Sequence, residues 1–195
     1  MRLNPTSTWR PVSAEQYFTT ATPSFVWLAR VGKSPAYFAG KDVYRAGHGH
    51  MTIKIMSVIP VADATGPKAD QGTMLRYLAE MQWFPGAALS PYVQWRQTGP
   101  ATAMATMTYG GITDSGQFHF GANGDVVSFD AMRYMNDNGE WHLRKWTVPV
   151  TRHAVMNGIR IPVAGSTIWQ MPDGDFNWFE WTIEQIDYNN TDVYN

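Results

Sequence analysis

The chain contains no cysteine, which excludes disulfides, thiolate metal sites and cysteine nucleophiles and leaves the redox compartment open. Charge is sparse and balanced: 15 Lys and Arg face 16 Asp and Glu. No long-range field draws such a molecule onto nucleic acid or an anionic bilayer, so no polyanionic partner is expected. No window approaches the roughly 18 unbroken apolar residues of a transmembrane helix. The opening "MRLNPTSTWRP" also lacks the apolar stretch of a secretory leader. The expectation is a water-soluble chain, cytoplasmic as written. A P-loop, a GxGxxG turn after a strand, a G-x-S-x-G elbow, an H-E-x-x-H helix and an EF-hand loop are all missing, so no nucleotide or other cofactor is expected.

Aromatic rings are what the sequence has in excess. Nine Trp, nine Tyr and nine Phe make up 14% of the residues, against 16% charged. Rings at this density fill a core or line a pocket for an apolar ligand. A length of 195 residues suits one domain spanning the chain, with residues 1–12 as an N-terminal extension.

Turn signals punctuate the second half: "ITDSGQ", "GANGDV", "MNDNGEW", "VMNGIR" and "MPDGDF" each supply residues that tolerate positive φ between extended runs. The runs between them alternate with period two, as in "ATAMATMTY" and "FNWFEWTIEQI", the pattern of half-buried antiparallel strands. Strands are expected at 92–96, 101–109, 116–121, 125–135, 140–148, 158–163, 166–171 and 176–188, forming one up-and-down sheet. In the first half, "SAEQYF" reads as a capping box, with Ser13 as cap and Gln16 reaching back to open a short helix. The extended segments "SFVWLARV" and "KDVYRAGHGHMTIKIMSV" follow, then a helix over 71–84 stopped by Pro85-Gly86. The expected fold is α+β and mostly β, a long antiparallel meander curved into a half-barrel around one central helix.

That helix, "RYLAEMQWFPGAAL", places Arg76 and Glu80 together at one edge of its apolar face. Trp83 flanks them on one side, and Tyr77 and Phe84 on the other. A solvated i,i+4 pair would contribute only about 0.3–0.5 kcal/mol. A pair desolvated among rings is costly unless fully hydrogen-bonded, and then points to binding or catalysis. In that case Glu80 is the proton carrier or polar anchor and Arg76 its orienter. Candidate ligand contacts are Trp83, Tyr77, Phe84, Arg133, Trp95 and Trp146. Asp130 and Arg133 lie on opposite faces of one strand, so one of them points inward. Asp70 is placed to cap the helix. His48 and His50 share a strand face and form half of a possible metal site; their nearest following carboxylate is Asp63, while His119 and His142 reach them only through the fold.

The segments "AEQYFTTATPSFVWLARV", "DVYRAGHGHMTIKIMSVIPVADATG", "DQGTMLRYLAEMQWFPGAAL" and "FHFGANGDVVSFDAMRY" together resemble a bacterial domain family of unknown function. The resemblance covers about residues 14–188. Its signature is the helix with Arg76, Glu80, Trp83 and Pro85, joined by Phe120, Gly124, Arg133 and Trp146; it favours the Arg76–Glu80 pair and omits His48 and His50. The layout also resembles the half-barrels of lipoprotein carriers and insertases, an architectural likeness only. The leading functional expectation is a module binding a small hydrophobic or amphipathic, lipid-like molecule in an aromatic-lined cavity. The rivals are a cofactor-independent acid–base enzyme using Glu80 and Arg76, a metal-dependent enzyme built on His48 and His50, and a partner-binding domain.

Overall fold

The structure is a computed structural model that describes all residues except 34–36, 138 and 193–195. Five strands come first: β1 (Val12–Thr19), β2 (Ser24–Val31), β3 (Phe38–Arg45), β4 (His48–Ile55) and β5 (Ile59–Ala64). The helix α1 (Pro67–Glu80) and a short 3-10 helix (Pro85–Leu89) follow. Seven strands complete the chain: β6 (Val93–Gly99), β7 (Thr102–Tyr109), β8 (Ile112–Phe120), β9 (Val126–Asp137), β10 (Glu140–Met156), β11 (Ile159–Met171) and β12 (Gly174–Thr182). The first five form one antiparallel meander and the last seven another, each in chain order. The two sheets are not joined into a closed barrel. The fold is α+β and mostly β, half-barrel-like, with α1 between the sheets, against β3 and β4 on one side and β7, β8 and β9 on the other.

The second meander follows the expected order with local departures: β6 runs on to Gly99, and "ITDSGQ", expected as a turn, is the start of strand β8, the turn being made by Gly110 and Gly111 instead. β10 runs on to Met156, and the runs expected at 158–163 and 166–171 are a single strand, β11. The strand passes through "VAGS" because Gly165 seats the Trp181 ring: a Cβ there would lie 2.4 Å from Trp181 Cζ2 and 2.5 Å from the Pro149 carbonyl oxygen. β12 stops at Thr182. The chain beyond it packs irregularly, with Ile186 buried and the Tyr188 hydroxyl donating to the Trp83 carbonyl at 2.7 Å.

The helix expected at "SAEQYF" is β1, paired with β2 from Val12↔Val31 to Thr19↔Ser24. Tertiary context overrides the capping-box spacing here. Gln16 and Phe18 stand opposite Trp27 and Phe25, and Phe18 stacks on Phe84 at 4.1 Å. The Gln16 side chain is taken by Arg76 and Glu80 rather than by a helix end. Nor do residues 1–11 hang free, since Arg2 donates to the Trp178 and Asn177 carbonyls of β12.

α1 starts and ends four residues earlier than expected. Gly66, at φ 95°, is its N-cap, Pro67 follows in the first turn, and Met81 closes it with a bond to Tyr77, so Trp83 and Phe84 lie past its end. Asp70 is therefore not the cap. It sits in the first turn, and its Oδ1 accepts the Gly49 amide of β4 at 2.7 Å. The close approach needs glycine, because a Cβ on Gly49 would lie 2.3 Å from Thr73 Oγ1. The core is continuous around the helix: Met74, Leu75, Tyr77 and Leu78 meet Phe25 and Tyr44 from the first sheet and Met107, Phe118, Phe129 and Trp146 from the second.

Candidate functional site

Arg76 and Glu80 lie at the centre of a closed polar network between α1 and the first sheet. Arg76 donates from Nε to Glu80 Oε1 at 2.7 Å, from Nη1 to Asp42 Oδ2 at 2.8 Å and from Nη2 to Gln16 Oε1 at 2.7 Å. Gln16 Nε2 closes the circuit by donating to Glu80 Oε2 at 2.6 Å. The guanidinium carbon lies 4.8 Å from the Phe25 ring and 5.0 Å from the Trp27 ring. Burial alone would lower the Arg76 pKa; the charges and hydrogen bonds of Glu80 and Asp42 outweigh it and raise the value. Both Glu80 oxygens are engaged, so proton transfer by Glu80 would require this network to open.

Arg133 is the inward member of the Asp130 and Arg133 pair. Its Nε donates to the Gly72 carbonyl at 3.0 Å, and its guanidinium lies over Trp146 at 4.7 Å. A Cβ on Gly72 would come within 3.3 Å of that Nε, which accounts for a glycine inside the helix. Burial pushes the Arg133 pKa down to about 10, leaving it charged at neutral pH. Asp130 faces away, 3.0 Å from His119 and 3.4 Å from Lys145.

The other candidates divide between core and surface. Tyr77 is fully buried, its hydroxyl donating to Thr19 O at 2.9 Å and meeting the Tyr92 hydroxyl at 3.0 Å, and burial raises its pKa. Phe84 and Trp146 are core rings, and Trp83 meets Trp181 edge-on at 5.3 Å. His48 and His50 take different carboxylates, with Nδ1 of His48 3.3 Å from Asp70 and Nε2 of His50 2.8 Å from Asp63. Among the described residues no three His, Cys, Asp or Glu side chains gather in a way that would hold a metal ion.

Trp95 lies elsewhere, on the wall of a cleft of about 360 Å³ between the segment after α1 and the second sheet. Met81, Pro85, Ala88, Trp95, Phe118 and Phe120 supply its apolar surface. Trp95 is held by a bond from Nε1 to the Ala88 carbonyl at 2.9 Å and packs on Phe118 at 5.2 Å. At the polar end, Arg160 clamps Asp125 with two bonds, of 2.8 and 2.6 Å, and His153 Nδ1 stands 3.7 Å from the same carboxylate. Two more polar atoms of the lining, Gln82 Oε1 and His153 Nε2, are buried without a hydrogen-bond partner. Such atoms are costly to leave unmatched.

His153, Arg160, Gln82 and Asp125 were not singled out by sequence. Arg160, in β11, meets Asp125, in the turn before β9, across 35 positions, and no short spacing encodes that. The turn "GANGDV" places Asp125, but its partner comes from the β10–β11 hairpin.

The Arg160 clamp holds Asp125 ionised down to about pH 2, with smaller contributions from Asn123 and His153, against an ordinary value of 3.8. Its folded pKa is depressed, so its contribution to stability is full well above pH 3.8 and declines as pH falls towards about 2. Urea midpoints across this window should fall less steeply for Asp125→Asn than for the parent. Parallel curves would show that the clamp carries no folding linkage.

No curated protein and no solved structure matches the chain. A family model does match, over residues 1–181, and with that coverage the chain belongs to DUF6544, a family of unknown function.

Proposed function

We propose that the protein binds a small amphipathic molecule in the cleft between the end of α1 and the second sheet. The observation that carries this reading is a cleft walled by Trp95, Phe118 and Phe120 whose lining residues Gln82 and His153 each hold a buried polar atom, Oε1 and Nε2, without a hydrogen-bond partner. The apolar part of the ligand lies against Trp95, Phe118 and Met81, and its polar group meets Gln82 and His153. A volume of about 360 Å³ is near the lower end of the roughly 300–1,000 Å³ of ligand pockets. That favours a compact aromatic or short-chain compound over a diacyl lipid. In this reading Arg76 and Glu80 hold the helix to the first sheet, and Arg133 stacks behind it.

A second reading is favoured by His153. Its Nδ1 stands 3.7 Å from Asp125, and its ring belongs to the cleft lining with Nε2 buried and unpartnered; a turn of the ring that opens Nε2 to the cleft would suit cofactor-independent proton transfer on the bound molecule. The Glu80 carboxylate, with both oxygens engaged, is the less available proton carrier.

Titration with 1-anilinonaphthalene-8-sulfonate, a compact aromatic anion whose emission rises in apolar sites, tests the binding reading. Saturable binding to the parent is expected, together with its loss in Ala88→Trp, which fills the cleft from the 3-10 helix. Equal binding by the two proteins would move the ligand elsewhere.

A further inference from the structure

The near-neutral chain distributes its charge unevenly. On the outer face of the first sheet, pairing sets Ser13, Arg30, Ala39 and Lys54 in one cross-strand row, and Glu15, Leu28, Lys41 and Thr52 in the next. Ala39, small among longer side chains, leaves an open hollow of about 500 Å³ between them. Among the described residues none of Arg30, Lys41 and Lys54 has a carboxylate within ion-pair distance. Among the described residues Glu15 is the one carboxylate lining the hollow, and it accepts the Tyr17 hydroxyl at 3.2 Å. Lys33, at the end of β2, and Arg10, over the Phe38 ring at 5.5 Å, add exposed positive charge at the same end of the sheet.

That end carries the β4–β5 hairpin, whose tip exposes apolar side chains. Met56, Val58, Ile59 and Val61 are 50%, 76%, 59% and 53% exposed. The turn puts Met56 and Ser57 at φ 51° and 63°, positions usually given to Asn and Gly. A methionine held there at a conformational cost presents a large apolar side chain to the outside. Beside it Tyr37 stacks on Arg30 at 3.9 Å and bonds Ser57 at 3.1 Å, an amphipathic ring of the kind enriched at membrane interfaces.

We propose that the β4–β5 hairpin docks the protein on an anionic lipid bilayer, Met56, Val58 and Ile59 entering the apolar boundary while Arg30, Lys41 and Lys54 meet the headgroups. The spacing fits. Lys54 stands two strand residues behind Met56, about 7 Å, and a peripheral apolar face enters the headgroup boundary by about 5–10 Å. Addition of a strand from another protein is disfavoured, because Pro60 and the irregularity between Ile53 and Lys54 interrupt this sheet edge. The proposal is independent of the cleft: the hairpin and the cleft lie on different sheets.

Flotation of the full chain with vesicles tests it. The parent should float with phosphatidylcholine–phosphatidylserine vesicles, not with phosphatidylcholine alone, and should be released by salt. Val58→Asp with Ile59→Asp, both at exposed positions, should abolish flotation. Arg30→Gln and Lys54→Gln should each weaken it about fivefold. A parent that stays in the soluble fraction at low salt, flotation insensitive to V58D/I59D, or equal binding to neutral vesicles would each overturn the proposal. So would a dimer in light scattering that V58D/I59D converts to monomer, which would assign the surface to a second copy of the chain.

Discussion

Arg76→Ala is expected to lower the unfolding free energy by about 3–5 kcal/mol, the usual cost of removing one partner from a buried ionic network. Truncation leaves Asp42, 6% exposed, and Glu80 without their shared cation. It also strands Gln16, whose amide bridges Arg76 and Glu80, and it removes the guanidinium between Phe25 and Trp27. Total stability for a domain is about 5–15 kcal/mol, so the variant should unfold at a much lower urea concentration. Arg76→Lys should recover only part of the loss, because one ammonium cannot reproduce three bonds directed to three acceptors. Urea denaturation followed by tryptophan fluorescence measures both. A loss below about 1 kcal/mol for Arg76→Ala would instead be the behaviour of a solvated surface pair.

Gly110→Ala should cost about 3 kcal/mol. The β3–β4 turn meets the β7–β8 turn through Gly47, at φ 87°, and Gly110, at φ 60°. A Cβ on Gly110 would lie 2.4 Å from the Gly47 Cα and 3.0 Å from the Ala46 carbonyl oxygen. These are backbone atoms, so no side-chain rotation relieves the clash and the two turns must separate. Gly111 is the control: its φ of 81° carries the same conformational demand, but nothing lies within 4 Å of its Cβ. Gly111→Ala should cost only about 1–2 kcal/mol. Equal losses for the two variants would show that the contact between the sheets contributes nothing to stability.

The second meander was legible in the sequence because period-two alternation marks its strands and Asn/Asp/Gly turns join them from β8 to β12; "ITDSGQ" misled, because its Asp114 and Gly116 are ladder residues of β8 paired with Met107 and Ala105. β1 was not, because Ser13 and Gln16 happen to stand at capping-box spacing while the strand is decided by pairing with β2. The helix was visible but misplaced, since Gly66-Pro67 marks its start more strongly than the apolar run within it. Arg76 and Glu80 could be found because their partnership is local, at i and i+4. Asp42 and Gln16, which complete the network, come from β3 and β1, and no local pattern announces them. The same holds for the cleft, where only Trp95 among the candidates lies on the wall and His153, Gln82 and Arg160 are brought there by the fold.

Native mass spectrometry of the purified parent beside Ala88→Trp tests the binding reading most directly. The parent should carry a small organic adduct that is lost on denaturation, and Ala88→Trp should show the mass of the chain alone. An adduct retained in Ala88→Trp, or a parent that takes up no 1-anilinonaphthalene-8-sulfonate and shows only its own mass, would contradict it.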